Sequence, residues 1–90
     1  MYLHLGQDTV VRLDEVVGIF DMDNATISRH TRRFLADAEK GGRVVNVSAE
    51  LPKSFVVCWD RDEEERVYIS QISSATLRKR AGFVEDISNI

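Results

Sequence analysis

The sequence predicts an α+β domain that has a small, mainly antiparallel β-sheet and one long amphipathic helix. Short β-branched runs separated by turn signals are typical of antiparallel strands and hairpins. Between residues 25 and 40 the apolar residues change to a 3.6-residue period, which is typical of a helix that packs on a sheet. The predicted order of elements is β-β-β-α-β-β-β-α.

The first half of the chain contains three predicted strands and the long helix. The strands cover residues 2–5, 9–13 and 16–20, and a Gly-Gln-Asp turn joins the first two in a hairpin. We expect Asp23 or Asn24 to cap the helix and the Gly41-Gly42 pair to end it. The apolar positions that predict the helix are Ile27, Thr31, Phe34, Leu35 and Ala38.

The second half of the chain contains a further strand, a second hairpin and a short helix. The hairpin is predicted from two apolar runs that flank an acidic turn, and Ser73 or Ser74 is expected to cap the helix, which ends near Gly82. The predicted strands are residues 43–47, 54–59 and 66–70, and the predicted helix is residues 75–80.

The composition indicates a single small globular domain over residues 1–82, followed by a tail over residues 83–90. The formal net charge is −3, but the segment DRDEEER at residues 60–66 holds five acids and two arginines. The remainder is therefore neutral and has room for basic patches, so the net charge neither supports nor excludes DNA binding. A core this small is often supplemented by oligomerisation.

We expect a cytoplasmic protein that has no membrane partner. No apolar run approaches the roughly 18 residues of a membrane span, the N-terminus lacks the features of a signal peptide, and a single cysteine fits a reducing compartment. Cys58 lies in an apolar run and is expected to be buried, and His4 and His30 lack ligand-like spacing. We therefore predict no enzyme activity, catalytic residue, metal, cofactor or small-molecule substrate.

Two basic clusters have more than one interpretation. Arg29, Arg32 and Arg33 lie off the apolar stripe of the long helix, together with His30. One interpretation is a solvated face balanced by nearby acids. The others are a surface that contacts DNA and a surface that contacts the acidic turn of a neighbouring subunit. The second cluster, at the end of the short helix, either complements the helix dipole or contacts phosphates, and consists of Arg78, Lys79 and Arg80.

A winged-helix repressor is the competing fold. Residues 13–19 would form its support helix and residues 25 onward its recognition helix, with Arg29, His30 and Arg33 facing DNA. The β-branched residues and the glycine within residues 16–20 make a poor helix interior, and no helix is predicted before Leu13. We therefore prefer the antiparallel α+β fold.

Three stretches, YLHLGQDTVVRLDEVVGIFDMDN, ELPKSFVVCW and VYISQISSATL, together resemble the Rem family of bacterial regulators of the biofilm extracellular matrix. The resemblance extends from Met1 to about Gly82. It implies a fold related to LytTR-type DNA-binding domains, transcriptional activation of matrix genes, and subunits that assemble into a ring with double-stranded DNA around the outside.

The resemblance leads to two functional hypotheses. The first is a ring-forming transcriptional regulator that binds DNA mainly through its backbone, with Arg29, Arg32, Arg33, Lys53, Arg78, Lys79 and Arg80 as candidate contacts. The second is an oligomeric adaptor that has lost DNA binding. It is motivated by Glu15, where the RemA branch carries an arginine, and by the loop at residues 50–54, which has one lysine where that branch is rich in arginine.

Overall fold

The computed structural model describes residues 1–25 and 28–82, which form an α+β fold with small, mostly antiparallel sheets. This is the predicted class. In the described residues the strands are β1 (Tyr2–Gly6), β2 (Thr9–Arg12), β3 (Val16–Asp21), β4 (Val44–Asn46), β5 (Ser54–Trp59) and β6 (Glu65–Ser70). The α-helices there are α1 (Met22–Ala25), α2 (Arg29–Lys40) and α3 (Ser74–Ala81). A short 3-10 turn over Leu13–Glu15 separates β2 from β3.

Strands β1 and β2 form a separate hairpin, and the other four strands form a sheet in the order β3-β5-β6-β4. Strand β5 runs antiparallel to both of its neighbours, which confirms the second predicted hairpin. The edge strand β4 pairs with β6 in parallel. Strands β3 and β4 therefore run in the same direction at opposite edges of the sheet. The segment that joins them must cross over one face of the sheet, and this segment contains α1 and α2.

Both faces of the four-stranded sheet are covered, which explains why β5 is an almost uninterrupted apolar run. On one face, Ile19, Val56 and Cys58 pack with the β1–β2 hairpin and with Leu77 of α3. On the opposite face, Phe55 and Val57 pack with α2. We call these the hairpin face and the α2 face. The domain thus has a thin core on each side of one sheet.

Helix α2 differs from its prediction at its start. It begins at Arg29, not near Ala25, because Ser28 has an extended backbone and its hydroxyl accepts a hydrogen bond from the amide of Thr31. Asp21 instead accepts a bond from the amide of Asp23 at the start of the separate helix α1. The prediction of Asp23 or Asn24 as the cap of the long helix was therefore wrong.

The inward positions of α2 are confirmed where the structure describes them. Ala38 is buried, and Phe34 and Leu35 pack partly buried against the α2 face of the sheet. Ile27, the first predicted inward residue, lies outside the described residues. At the other end, Gly42 has a φ of 70°, a conformation that suits glycine and ends the helix as predicted.

The winged-helix alternative was wrong. Its support helix would need residues 13–19 to be helical, but Val16–Asp21 is a strand paired with β5, and only Leu13–Glu15 makes a 3-10 turn. The β-branched residues of this segment fill a pleated, half-buried surface better than a helix interior. Helix α2 consequently packs on a sheet and not on a second helix.

Candidate nucleic-acid interface

The outward side of α2 is a basic surface of the described chain. Arg29, Arg32 and Arg33 are exposed there, and residues 29–36 contain no acid. Since the helix turns its apolar side toward the sheet, residues one turn apart on the other side, such as Arg29 and Arg33, share a line facing solvent. We call this surface the α2 basic face.

The arginines of the α2 basic face make no ion pair within the described part of the chain, although Asp37 and Glu39 follow on the same helix. Arg33 and Asp37 are four residues apart, but the basic residue comes first, which is the weaker orientation for such a pair. The interpretation of a solvated face balanced by these acids therefore depends on charge balance along the helix and not on direct ion pairs.

Other arginines of the domain are already engaged by carboxylates. Arg12 pairs with Asp14 at 2.9 Å, and Arg66 with Asp60 at 3.0 Å. Arg43 lies 3.6 Å from Glu65. The α2 basic face differs from these sites because its arginines form no ion pair with a carboxylate of the described residues. Such a charge is available to a phosphate.

Lys40 is a residue that the sequence analysis missed. It is exposed in the last turn of α2 and lies eleven residues after Arg29, close to three full turns. It therefore extends the α2 basic face to roughly 16 Å in length. Its spacing from Arg29 and Arg33 was a signal in the sequence, but its position next to the glycines suggested only a helix end.

The structure places the second basic cluster on the opposite face of the sheet. Helix α3 packs on the hairpin face, so Arg78, Lys79 and Arg80 cannot join the α2 basic face within one subunit. Arg78 is half-buried and donates to the carbonyl oxygen of Ile19, and Arg80 donates to that of His4 at 3.2 Å. Lys79 is the exposed member whose side chain makes no hydrogen bond or ion pair within the described residues.

Lys53 lies apart from both clusters, at the start of β5. Its amide donates to the carbonyl of Ser70, and its own carbonyl accepts from the amide of Met22. This places Lys53 at the end of the sheet where α1 begins. Its side chain is exposed, as are those of Glu50 and Leu51 in the same loop.

The acidic turn between β5 and β6 is organised by one carboxylate. Asp60 accepts bonds from the amides of Asp62 and Glu64 and from the guanidinium of Arg66 at 2.9 to 3.0 Å. The amide of Glu64 is the main cause that lowers the pKa of Asp60, and Arg66 also contributes. The turn is therefore a folded unit in its own right.

The residues with catalytic or ligand chemistry are not brought together in the described chain. Cys58 is 3% exposed, and burial raises the pKa of its thiol to about 11, which disfavours the reactive thiolate. His4 donates to the carbonyl of Gln7 at 2.8 Å. Residues 1–25 and 28–82 contain no group of three or more side chains suited to a metal ion. Within those ranges, the helices are all too short or too polar to cross a membrane.

The fold and its surface define a class of small α+β domain that exposes a basic helix on one face of a sheet. The sequence pattern of the RemA-like family, described as extracellular matrix regulatory protein A-like, matches residues 2–81. The chain is also 39% identical over 89 residues to extracellular matrix regulatory protein B of Bacillus subtilis (strain 168), covering 99% of this chain and all of that protein. The chain therefore belongs to the RemA-like family of extracellular matrix regulatory proteins.

Proposed function

We propose that this protein is a non-enzymatic, ring-forming transcriptional regulator of genes for the extracellular matrix of biofilms, and that it binds double-stranded DNA in the cytoplasm. The family and the relative from Bacillus subtilis, whose names refer to regulation of the extracellular matrix, support the regulatory role. The α2 basic face supports DNA as the ligand. This face, with three exposed arginines that have no carboxylate partner in the described residues, is the observation that carries the proposal.

Contacts from this face would go to phosphates and not to base edges. Helix α2 lies flat on a sheet, with Phe34, Leu35 and Ala38 engaged in its core, so only its outer side is available. Long, exposed arginines on such a side reach a charged backbone without entering the major groove. In an assembly, each subunit repeats the same few contacts, and weak phosphate contacts then add up to strong binding.

The experiment that tests this function is a titration of a labelled duplex with the wild-type protein, followed by fluorescence anisotropy at several salt concentrations. Binding that weakens linearly on a log–log plot, with a slope corresponding to several phosphates per assembly, supports the proposal. Absence of binding at low salt contradicts it.

A second candidate function is an oligomeric adaptor that acts through protein contacts. Its support is the loop before β5, where Lys53 is the only base between residues 50 and 54, and Glu15 between β2 and β3. A protein that assembles normally but does not bind DNA at low salt would favour this candidate.

A further inference from the structure

A groove of about 410 Å³ opens on the α2 face of the sheet, between the edge strand β3 and the side of helix α2. Its apolar lining comes from α2 and from strands β3 and β5, and consists of Val17, Phe20, Phe34, Phe55 and Val57. The rings of Phe20 and Phe55 stack with centroids 5.0 Å apart. Concave sites of this volume with an aromatic lining are typical of small-molecule binding. We call this site the aromatic groove.

The shape of the aromatic groove depends on a glycine within β3. A Cβ atom at Gly18 would lie 2.6 Å from the ring of Phe20, so the ring takes its position only because residue 18 has no side chain. Glycine weakens the interior of a strand, and it often marks a place that another molecule approaches closely. Gly18 thus permits the ring position in which Phe20 stacks on Phe55 and forms the floor of the groove.

The polar part of the lining contains one carboxylate. His30 and Thr31 of α2 and Glu65 of β6 complete the described lining. The side chain of Glu65 is 28% exposed, and Nε of Arg43 lies 3.6 Å from its Oε1, which is too long for a hydrogen bond. The Glu65 carboxylate accepts no hydrogen bond from the described residues. It therefore keeps its full capacity to accept hydrogen bonds from a ligand.

The exposed apolar surface of the aromatic groove is too small for a protein interface. An aromatic side chain offers ~150–250 Å² when fully accessible, so Phe20 at 41% exposure presents roughly 60–100 Å². A standard interface buries roughly 800 Å² per partner. An extended peptide is also disfavoured, because Arg78 donates to the carbonyl oxygen of Ile19 at the edge of β3, and an added strand would displace this bond. A compact small molecule fits both constraints.

We propose that the aromatic groove binds a small molecule that has an apolar, ring-sized body and one amino group. The body lies against Phe20 and Phe55, and the ammonium group donates to the carboxylate of Glu65. The aromatic lining also favours a cation, because the faces of the rings carry negative charge. This inference goes beyond the proposed function and does not depend on it.

The arginines of the α2 basic face oppose such a ligand only weakly. Helical spacing places Arg29 and Arg33 on the solvent side of α2, whereas Thr31 and Phe34 line the groove. Water and salt screen the exposed arginines. Glu65 is itself part of the lining, so a bound ammonium group meets a negative charge directly. A ligand with a carboxylate in place of the amino group would meet a like charge and bind more weakly.

The test uses three probes that share a para-fluorophenyl ring and differ in the group at the end of a short arm. para-Fluorophenethylamine carries an ammonium group, para-fluorophenylethanol a neutral hydroxyl and para-fluorophenylpropanoate a carboxylate. Fluorine NMR of each probe, titrated with the full chain at neutral pH, gives the dissociation constant from line broadening. We expect the wild type to bind the amine roughly tenfold more tightly than the alcohol, since hydrogen bonds to charged groups are the stronger ones, and to bind the carboxylate most weakly.

Three variants assign the binding to the aromatic groove. Glu65→Gln keeps the shape of the side chain and should weaken amine binding roughly tenfold while leaving alcohol binding unchanged. Glu63→Gln is the matched control, because Glu63 is exposed in the same turn region and does not line the groove. Val17→Trp places a larger side chain at the groove without removing a core residue, since Val17 is 67% exposed, and it should weaken the binding of all three probes.

Several results would overturn the proposal. Equal affinity of the wild type for the three probes contradicts the stated chemistry, and a preference for the amine that survives in Glu65→Gln contradicts the stated site. A wild type that binds none of the probes in large excess contradicts both. If that wild type is also assembled in sedimentation velocity and dissociates in Val17→Trp, the groove belongs to a contact with a second copy. None of these results depends on DNA binding, which tests the proposed function separately.

Discussion

The guanidinium of Arg78 donates a hydrogen bond to the main-chain carbonyl oxygen of Ile19, and this bond joins α3 to the edge strand β3. The two residues are 59 positions apart in the chain. The bond satisfies a half-buried carbonyl at an open sheet edge and uses a charged donor, which strengthens it. Arg78 therefore has a structural role that its place in a basic cluster did not indicate.

Replacing Arg78 with Ala should lower the free energy of unfolding by about 1–3 kcal/mol, because the carbonyl of Ile19 loses its charged partner. Lys79→Ala is the matched control, since the side chain of Lys79 is exposed and has no partner among the described residues, and it should change stability by less than about 0.5 kcal/mol. Urea unfolding followed by circular dichroism measures both values. Equal stability of the two variants would contradict the role assigned to Arg78.

Ser70→Ala should also destabilise the fold by about 1–3 kcal/mol. The hydroxyl of Ser70 is fully buried, donates to the carbonyl of Leu5 at 2.7 Å, and accepts from the amide of Ile72 at 3.0 Å. Its loss leaves a buried carbonyl without a partner where the β1–β2 hairpin meets the sheet. The control is Ser48→Ala, because the bonds of Ser48 are local and exposed. Chemical denaturation should show the larger loss for Ser70, and the reverse order would contradict this account.

Acid should weaken the β5–β6 turn through Asp60. Hydrogen bonds from the amide of Glu64 and from Arg66 lower the pKa of Asp60 in the folded state. The Asp60 carboxylate therefore stabilises the fold fully at pH values above its ordinary pKa of 3.8. That contribution is lost as the pH falls below 3.8 through the lowered pKa. Asp60→Asn should be less stable than the wild type at neutral pH. When the melting temperature is measured from pH 7 to pH 2, it should fall less steeply at the acid end in Asp60→Asn than in the wild type. Parallel curves would rule out this role for Asp60.

The thiol of Cys58 should be unreactive in the folded protein. It is 3% exposed within β5, and burial raises its pKa to about 11, so little thiolate forms at pH 8. A disulfide reagent should label it only after denaturation, with a rate that follows unfolding. Rapid labelling of the native protein at pH 8 would show that β5 opens, which this packing does not predict.

The sequence predicted most of the local structure because the local signals agree with the fold. Alternation and turn residues predicted both hairpins, and Ser73 and Gly82 bound α3 as expected. The start of α2 was misplaced because Asp23 and Ser28 are both good capping residues, and the apolar period alone does not choose between them.

Tertiary relationships were beyond the sequence. Nothing local indicates that β4 pairs with β6 in parallel, or that α2 and α3 lie on opposite faces of the sheet. The two basic clusters could therefore not be assigned to separate surfaces before the fold was known. Arg78 and Arg80 looked equivalent to the arginines of α2, but their bonds to distant carbonyls depend on packing that no spacing rule contains.

The most direct test of the central claim is the salt dependence of DNA binding when the α2 basic face is removed. The triple variant Arg29→Ala, Arg32→Ala, Arg33→Ala is compared with Arg61→Ala, which removes an exposed arginine in the acidic turn. Assembly is first confirmed for both by sedimentation. The account predicts that the triple variant binds a labelled duplex more weakly and lowers the log–log salt slope by up to about 3 per contacting subunit, while the control binds as the wild type does. A triple variant with the affinity and salt slope of the wild type would contradict the account.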